Sequence, residues 1–237
     1  MKNLTLTLLV LFFTISCKKQ VEKETKETEK EVTEVSLETA KVTENDKPVI
    51  DYASFGIAAG DIPKGLETGS EVPEVNLINE KGETVSLANL YEAKPLVVIF
   101  YRGYWCPVCN KYLSALTANV SQIEEKGAGI IAITPETYEN IAKTREKTGL
   151  SIPVYYDKDG AAMKAFDVDF AVTTQYDEKI QEKLNASIKE TNGADTSFLP
   201  VPATYIIDKE GKIIYKQFDP DYHNRASAEE ILKHIPQ

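Results

Sequence analysis

Hydrophobic and polar positions divide the chain into three regimes. Residues 4–15 form an apolar run broken only by threonines. Residues 18–47 are built mainly from Lys, Glu, Thr and Val, with no Gly, Pro or aromatic residue. From Ser70 onward, short apolar stretches alternate with amphipathic ones. Residues 75–78 and 84–87 flank Lys81-Gly82, which predicts a β-hairpin. Residues 95–101 and 130–133 are continuous apolar, β-branched runs, the pattern of strands buried on both faces. Residues 153–156 make a third strand. Between these strands, 107–126 carries Leu113, Leu116, Val120 and Ile123 at helical spacing, with Gly127 as its stop. Residues 135–148 form a second helix ended by Gly149, and 161–166 a short third one. A polar helix over 175–190 is inserted before a closing hairpin, 203–208 with 212–218, which turns at Glu210-Gly211; a helix over 227–235 ends the chain. Alternating strands and helices followed by a hairpin and a helix predict an α/β domain with a mixed sheet and right-handed crossovers.

Length and charge narrow the picture. At 237 residues the chain has room for one domain with extensions, or at most two small ones. A net charge of −10 argues against nucleic acid as a partner, because binding phosphates needs clustered Lys and Arg. Three cysteines are too few for a disulfide-stapled mini-domain or a four-thiolate zinc site.

The first regime reads as an address. Lys2, the apolar run and the small-residue ending Thr14-Ile15-Ser16-Cys17 have the form of a signal peptide, and the run is shorter than the roughly 20 apolar residues a membrane span needs. The cysteine directly after Ser16 resembles a bacterial lipoprotein signal, with cleavage leaving Cys17 as the lipidated N-terminus; Thr14 stands where leucine is usual. The expected divisions are a signal over 1–16, the lipidated Cys17 and a charged tether over 17–69, and a folded domain over 70–237. An extracytoplasmic domain anchored to a membrane, facing the periplasm, follows from this reading. The tether has too little apolar surface to offset its ordering entropy. Ile50, Tyr52, Phe55 and Ile57 at its end are available to dock on the domain.

The remaining cysteines carry the chemistry. Trp105-Cys106-Pro107-Val108-Cys109 lies after a buried strand and opens a helix. Free N–H groups and the helix dipole favour a thiolate there, and the thiolate is the nucleophile. Pro107 suits the first turn. Cys109, three residues on, shares the helical face and can condense with a sulfenic acid or disulfide formed on Cys106. Zinc would need two further ligands, and the only histidines, His223 and His234, are both near the C-terminus. Redox chemistry is therefore preferred to a metal site or to a structural disulfide, and no metal or cofactor is expected.

Phe100-Tyr101-Arg102-Gly103 with the Cys106/Cys109 motif, residues 200–208 and Asp219-Pro220-Asp221-Tyr222 make residues 70–237 resemble the peroxiredoxin-like branch of the alkyl hydroperoxide reductase/thiol-specific antioxidant family. The resemblance implies a thioredoxin-like fold with Cys106 as attacking and Cys109 as resolving thiol. It also implies a cis Val201–Pro202 bond facing the pair, although Pro202 would equally suit the opening of a strand. The pattern departs from the Pro-x-x-x-Thr/Ser-x-x-Cys of peroxiredoxins. Counted back from Cys106 the two slots hold Ile99 and Gly103; counted from Cys109 they hold Arg102 and Cys106. Arg102 is the available substitute for the missing peroxide-polarising groups or else a surface arginine, Trp105 lines a substrate groove or packs around the helix start, and the role of Arg225 is open. The reading is a thiol peroxidase that reduces hydroperoxides and is reset by an external thiol. Its alternatives are a membrane-anchored thioredoxin-like oxidoreductase acting on protein disulfides, and a non-catalytic metal- or partner-binding module.

Overall fold

The structure is a computed structural model that describes residues 50–236. The signal, Cys17 and the charged stretch over 18–47 lie outside the described residues, so nothing in the fold bears on them. The described chain belongs to one compact unit, which takes in residues 50–69 as well as the stretch from Ser70.

After a 3-10 turn at Tyr52–Phe55 come β1 (Asn76–Ile78), β2 (Thr84–Ser86), α1 (Leu87–Tyr91), β3 (Leu96–Phe100), α2 (Pro107–Thr117) and α3 (Val120–Glu125). Then follow β4 (Gly129–Thr134), α4 (Tyr138–Thr148), β5 (Val154–Tyr156), α5 (Ala161–Ala165), β6 (Asp169–Ala171), α6 (Thr174–Leu184) and α7 (Ile188–Asn192). The chain closes with β7 (Phe198–Pro200), β8 (Ala203–Ile207), β9 (Ile213–Phe218) and α8 (Ala228–His234). Seven strands form one mixed sheet in the order β2-β1-β5-β4-β3-β8-β9, and β6 pairs with β7 apart from it. β3 runs parallel to β4, and β4 to β5; β8 is antiparallel to β3.

The centre of the sheet is buried on both sides, as the continuous apolar runs require. Val97 and Ile99 of β3 and Ile130 and Ala132 of β4 face Leu113, Leu116, Ile123 and Ile141. Val98, Phe100, Ile131 and Ile133, with Tyr205 of β8 beside them, face Met163 and Phe166 on the other side. Each fully buried aliphatic or aromatic side chain contributes about 1.5–3 kcal/mol, so the two layers hold β3 and β4 fixed. β3 is thus a rigid platform, and the chain leaving its end carries the cysteines.

Several elements differ from the pattern-based expectation. The helix over 107–126 is two, because the Asn119 side chain donates to the Ala115 carbonyl at 2.9 Å and competes with continued backbone bonding. The helix over 175–190 also divides, at Asn185, whose φ of 49° is the left-handed conformation asparagine tolerates. It is not merely polar, for Tyr176 and Ile180 are buried. The pairing of β6 with β7 was not apparent from their short, mixed sequences. No described peptide bond is cis, so Val201–Pro202 is trans, contrary to the family-based expectation. The Val201 N–H bonds the Val168 carbonyl at 2.6 Å, which directs the chain out of β7, and Pro202 stands just before β8, where no ladder donor is required of it.

Asp157 follows β5 and is buried; its carboxylate accepts the backbone N–H groups of Ala162 and Met163 at 3.0 and 2.8 Å, tying α5 to the sheet end. Asp157→Ala is expected to lower unfolding stability by about 1–2 kcal/mol, with Asp157→Asn less damaging, as measured by urea denaturation.

Candidate active site

The site begins where β3 ends. Cys106 is the N-cap residue of α2 with extended backbone (φ −84°, ψ 107°), Pro107 occupies the first helical turn, and the Cys109 N–H donates to the Cys106 sulfur at 3.3 Å. This is the helix-start geometry expected of the motif, with a backbone donor placed on a sulfur. Both cysteines are free thiols, and both are fully buried. They sit in an apolar cluster with Ile57, Trp105, Phe170, Tyr176, Ile180, Leu199 and Val201.

Arg102 is an interior residue, 3% exposed, and not a surface arginine. Its Nη2 donates to Cys106 Sγ at 3.1 Å and its Nη1 to the Tyr176 hydroxyl at 2.6 Å. The guanidinium lies 3.6 Å from the centroid of the Tyr222 ring and 5.3 Å from that of Trp105. Arg225 reaches the second sulfur, with Nη2 3.5 Å from Cys109 Sγ and Nε donating to the Tyr222 carbonyl at 2.8 Å. Tyr222 therefore organises both guanidinium groups, one through its ring and one through its backbone. Each sulfur has its own cation.

Those cations decide the charge state. Burial opposes ionisation of either thiol. At Cys109 that penalty is overcome by a hydrogen bond from Cys106 and by the charges of Arg225 and Arg102, which hold the thiol well below its ordinary range. Cys106 is pushed well above that range by burial and by the neighbouring Cys109. Ionisation of one sulfur opposes that of the other, so the two thiols titrate as a pair. Burial alone would lower the Arg102 pKa, but the sulfur charges keep the guanidinium firmly protonated. Burial pushes the Tyr176 phenol up to about 12, so it stays neutral as Arg102's acceptor.

The other expected residues fall into distinct places. Trp105 is 5% exposed and packs within the cysteine cluster, with its indole N–H lacking a partner among the described residues. Tyr104 is half-buried, and the Lys143 and Lys147 ammonium groups lie 5.1 and 4.8 Å from its ring centroid. Pro202 is buried at the start of β8; since Thr204 pairs with Ile99, the antiparallel register brings that end beside the end of β3, and neighbouring Val201 joins the cysteine cluster. Residues before Ser70 contribute as well. Ile57 is buried in the cluster, and Phe55 meets Tyr222 edge-on at 5.7 Å.

Three contributors carry no mark of a site residue in the sequence pattern. Tyr176 is the sole aromatic of the inserted helix and stands four positions before Ile180, a spacing that marks one buried face. Tyr222 stood inside a motif already noted, but its stacking on Arg102 has no local signature. Glu136, between Pro135 and Thr137, has no sequence signal at all; it is fully buried and accepts the Tyr104 N–H at 2.7 Å.

Comparison with known proteins agrees with this geometry. Residues 68–216 match the AhpC/TSA family. A peroxiredoxin Bcp of Bacillus subtilis is 29% identical over 149 residues, covering 63% of this chain and 83% of its own. A putative peroxiredoxin of Mycobacterium tuberculosis is 24% identical over 154 residues (65% and 86%), and a thiol-disulfide oxidoreductase ResA of Bacillus cereus 25% identical over 171 (72% and 79%). In fold, the chain is similar to the reduced Prx3 of Vibrio vulnificus in complex with hydrogen peroxide, with a TM-score of 0.56 at 17% identity over 71% of this chain and 97% of that one. Peroxidoxin BcpB of M. tuberculosis gives 0.54 at 20% identity (71% and 96%). With a dithiol at a helix start, a cation on each sulfur and a family match over more than half its length, the chain belongs to the AhpC/TSA family and is a peroxiredoxin-type thiol oxidoreductase.

Proposed function

We propose that the protein reduces hydroperoxides with Cys109 as the attacking thiolate and Cys106 as the resolving thiol. The observation that carries the reading is the pair of guanidinium groups, one on each buried sulfur. Arg225 and Arg102 hold the charge of the Cys109 thiolate. The thiolate attacks one peroxide oxygen, the O–O bond breaks, and the departing alkoxide takes a proton to become an alcohol. The Cys106 thiol then condenses with the Cys109 sulfenic acid, forming the disulfide and releasing water. An external thiol returns both sulfurs to the reduced state. Arg102 keeps a buried Nε–H with no partner among the described residues, a donor in reserve for a peroxide oxygen or the leaving alkoxide.

These roles reverse the family-based expectation of attack by Cys106. The sulfur carrying the charge is the better nucleophile. Counted from Cys109, Cys106 occupies the slot where peroxiredoxins place a hydroxyl, and its S–H supplies the corresponding hydrogen bond to the attacking sulfur. Full burial of both sulfurs favours a small oxidant over a folded protein's disulfide. The helix-start CxxC itself supports the second reading, a thiol-disulfide oxidoreductase, in line with the ResA-type relatives. We further propose that lipid on Cys17 anchors this domain to a membrane outside the cytoplasm.

Cys109→Ser is expected to abolish oxidation by hydrogen peroxide, while Cys106→Ser still forms one trappable sulfenic acid per chain and stops there. The opposite outcome in sulfenate trapping restores attack by Cys106, and oxidation by mixed disulfides alone selects the second reading. Arg225→Ala is expected to raise the pH at which the thiolate forms by about one unit, followed through thiolate absorbance. Blocking lipoprotein processing with globomycin is expected to accumulate the precursor; a processed, unlipidated soluble form overturns the anchor.

A further inference from the structure

Arg102 is held by two aromatic residues from distant parts of the chain, and one short segment touches both. The guanidinium donates through Nη1 to the Tyr176 hydroxyl and through Nη2 to Cys106 Sγ, which fixes its outer edge. Those two contacts leave one freedom, a tilt about the line joining the two Nη atoms. The Tyr222 ring, its centroid 3.6 Å from the guanidinium carbon, lies against the face of the group and sets that tilt. The tilt in turn sets where the unpartnered Nε–H points.

Residues 51–57 meet both aromatic partners. Asp51 opens a single 3-10 turn: its carboxylate accepts the Ser54 N–H at 3.4 Å, and its carbonyl accepts the Ser54 hydroxyl at 2.7 Å. Gly56 ends the turn at φ 87°. Residues three apart share a face in such a turn, so Tyr52 and Phe55 both pack toward the cysteine cluster. The Phe55 and Tyr222 rings meet edge to face, with centroids 5.7 Å apart and an interplanar angle of 83°. Gly56 presses on the other partner, since a Cβ there would come within 2.7 Å of the Tyr176 ring. The Gly56 carbonyl accepts the Thr173 N–H at 3.0 Å, and Ile57 bridges Val172, so the segment is fastened beside the start of α6. The stretch that matches the AhpC/TSA family, 68–216, contains Arg102 and Tyr176 but neither Phe55 nor Tyr222.

We infer that Phe55 is a positioning residue for the peroxide reaction: it holds the Tyr222 ring on Arg102 and thereby aims the guanidinium at the reacting atoms. The inference rests on the peroxidase reading of the cysteine pair. Tyr222 is half-buried in the loop after β9, and within that loop it stacks on the exposed His223, with centroids 4.4 Å apart. Phe55 is the brace that reaches it from a different part of the chain. Without that brace the Tyr222 ring is free to leave the guanidinium. Arg102 then keeps its two hydrogen bonds but loses its fixed tilt, and the Nε–H no longer points at one place. Phe55 belongs to neither apolar layer packed on the central sheet, so its loss leaves the scaffold standing.

The test compares Phe55→Ala and Phe55→Tyr with wild type, each as the reduced full chain. The arginines of the chain are Arg102, Arg145 and Arg225, so isotope labelling of arginine nitrogen gives few guanidinium signals by NMR, and Arg102→Lys identifies the relevant one. In wild type the Arg102 Nε–H signal is expected to be shielded by the Tyr222 ring and protected from solvent exchange. Phe55→Ala is expected to lose that shielding and to be oxidised by hydrogen peroxide about tenfold more slowly. Alkylation by iodoacetamide, which uses no guanidinium donor, is expected not to slow, with both rates normalised to the thiolate fraction read by absorbance. Phe55→Tyr keeps the ring edge and is expected to restore the signal and the peroxide rate. An unchanged Arg102 signal in Phe55→Ala, an unchanged peroxide rate, or equal slowing with both reagents overturns the inference. Wild type that reacts with iodoacetamide but not with peroxide contradicts the peroxidase reading instead, and the Arg102 signal then decides the positioning by itself. Should Phe55→Ala not fold, Phe55→Leu, which presents no ring edge, takes its place under the same criteria.

Discussion

A negative charge buried on a sulfur must be matched by cations brought to it, and the architecture around the cysteine pair follows from that demand. Arg102 enters from the end of β3 and Arg225 from the loop before α8. Arg102 could not be buried beside the pair without partners of its own, and Arg225 is half-buried there. Tyr176 from α6 takes one edge of Arg102, Tyr222 covers its face and also fixes Arg225, and Phe55 and Ile57 close the apolar shell. Segments far apart in the chain meet here because one charge needs all of them.

What the chain reveals by inspection is the scaffold. β3 and β4 are legible because both faces of each are apolar, and the Cys106 turn is legible because a cysteine pair with Pro107 between strand and helix has few other uses. Breaks within helices are less visible. Asn119 ends one turn of helix through its own side chain, and Asn185 does so by adopting a left-handed backbone. Asparagine is also found in uninterrupted helices, so its presence alone announces neither break.

The electrostatics of the site were least accessible. Arg102 stood beside the motif and was visible as a candidate, yet its depth depends on Tyr176, 74 positions away, and on Tyr222, 120 away. Glu136 is an acid among residues that give no sign of its burial. The cation on the second sulfur was equally hidden, because Arg225 reaches Cys109 from 116 positions along the chain. Helix-end effects are worth about 0.3–1 kcal/mol at an exposed site, less than a guanidinium contributes at short range in an enclosed one.

The grip of Tyr176 on Arg102 alters what can happen to the inserted segment between β6 and β7. Inserted surface helices ordinarily tolerate changes in length with little effect on the rest of a molecule. Here, an extra residue between Thr173 and Tyr176 would turn the phenol by about 100° around the helix axis and withdraw it from the guanidinium. The same turn would carry off the ring packed against Gly56, loosening the segment around the 3-10 turn. Insertions and deletions near the start of α6 are therefore redox-site changes, although they fall some 65 positions along the chain from either cysteine.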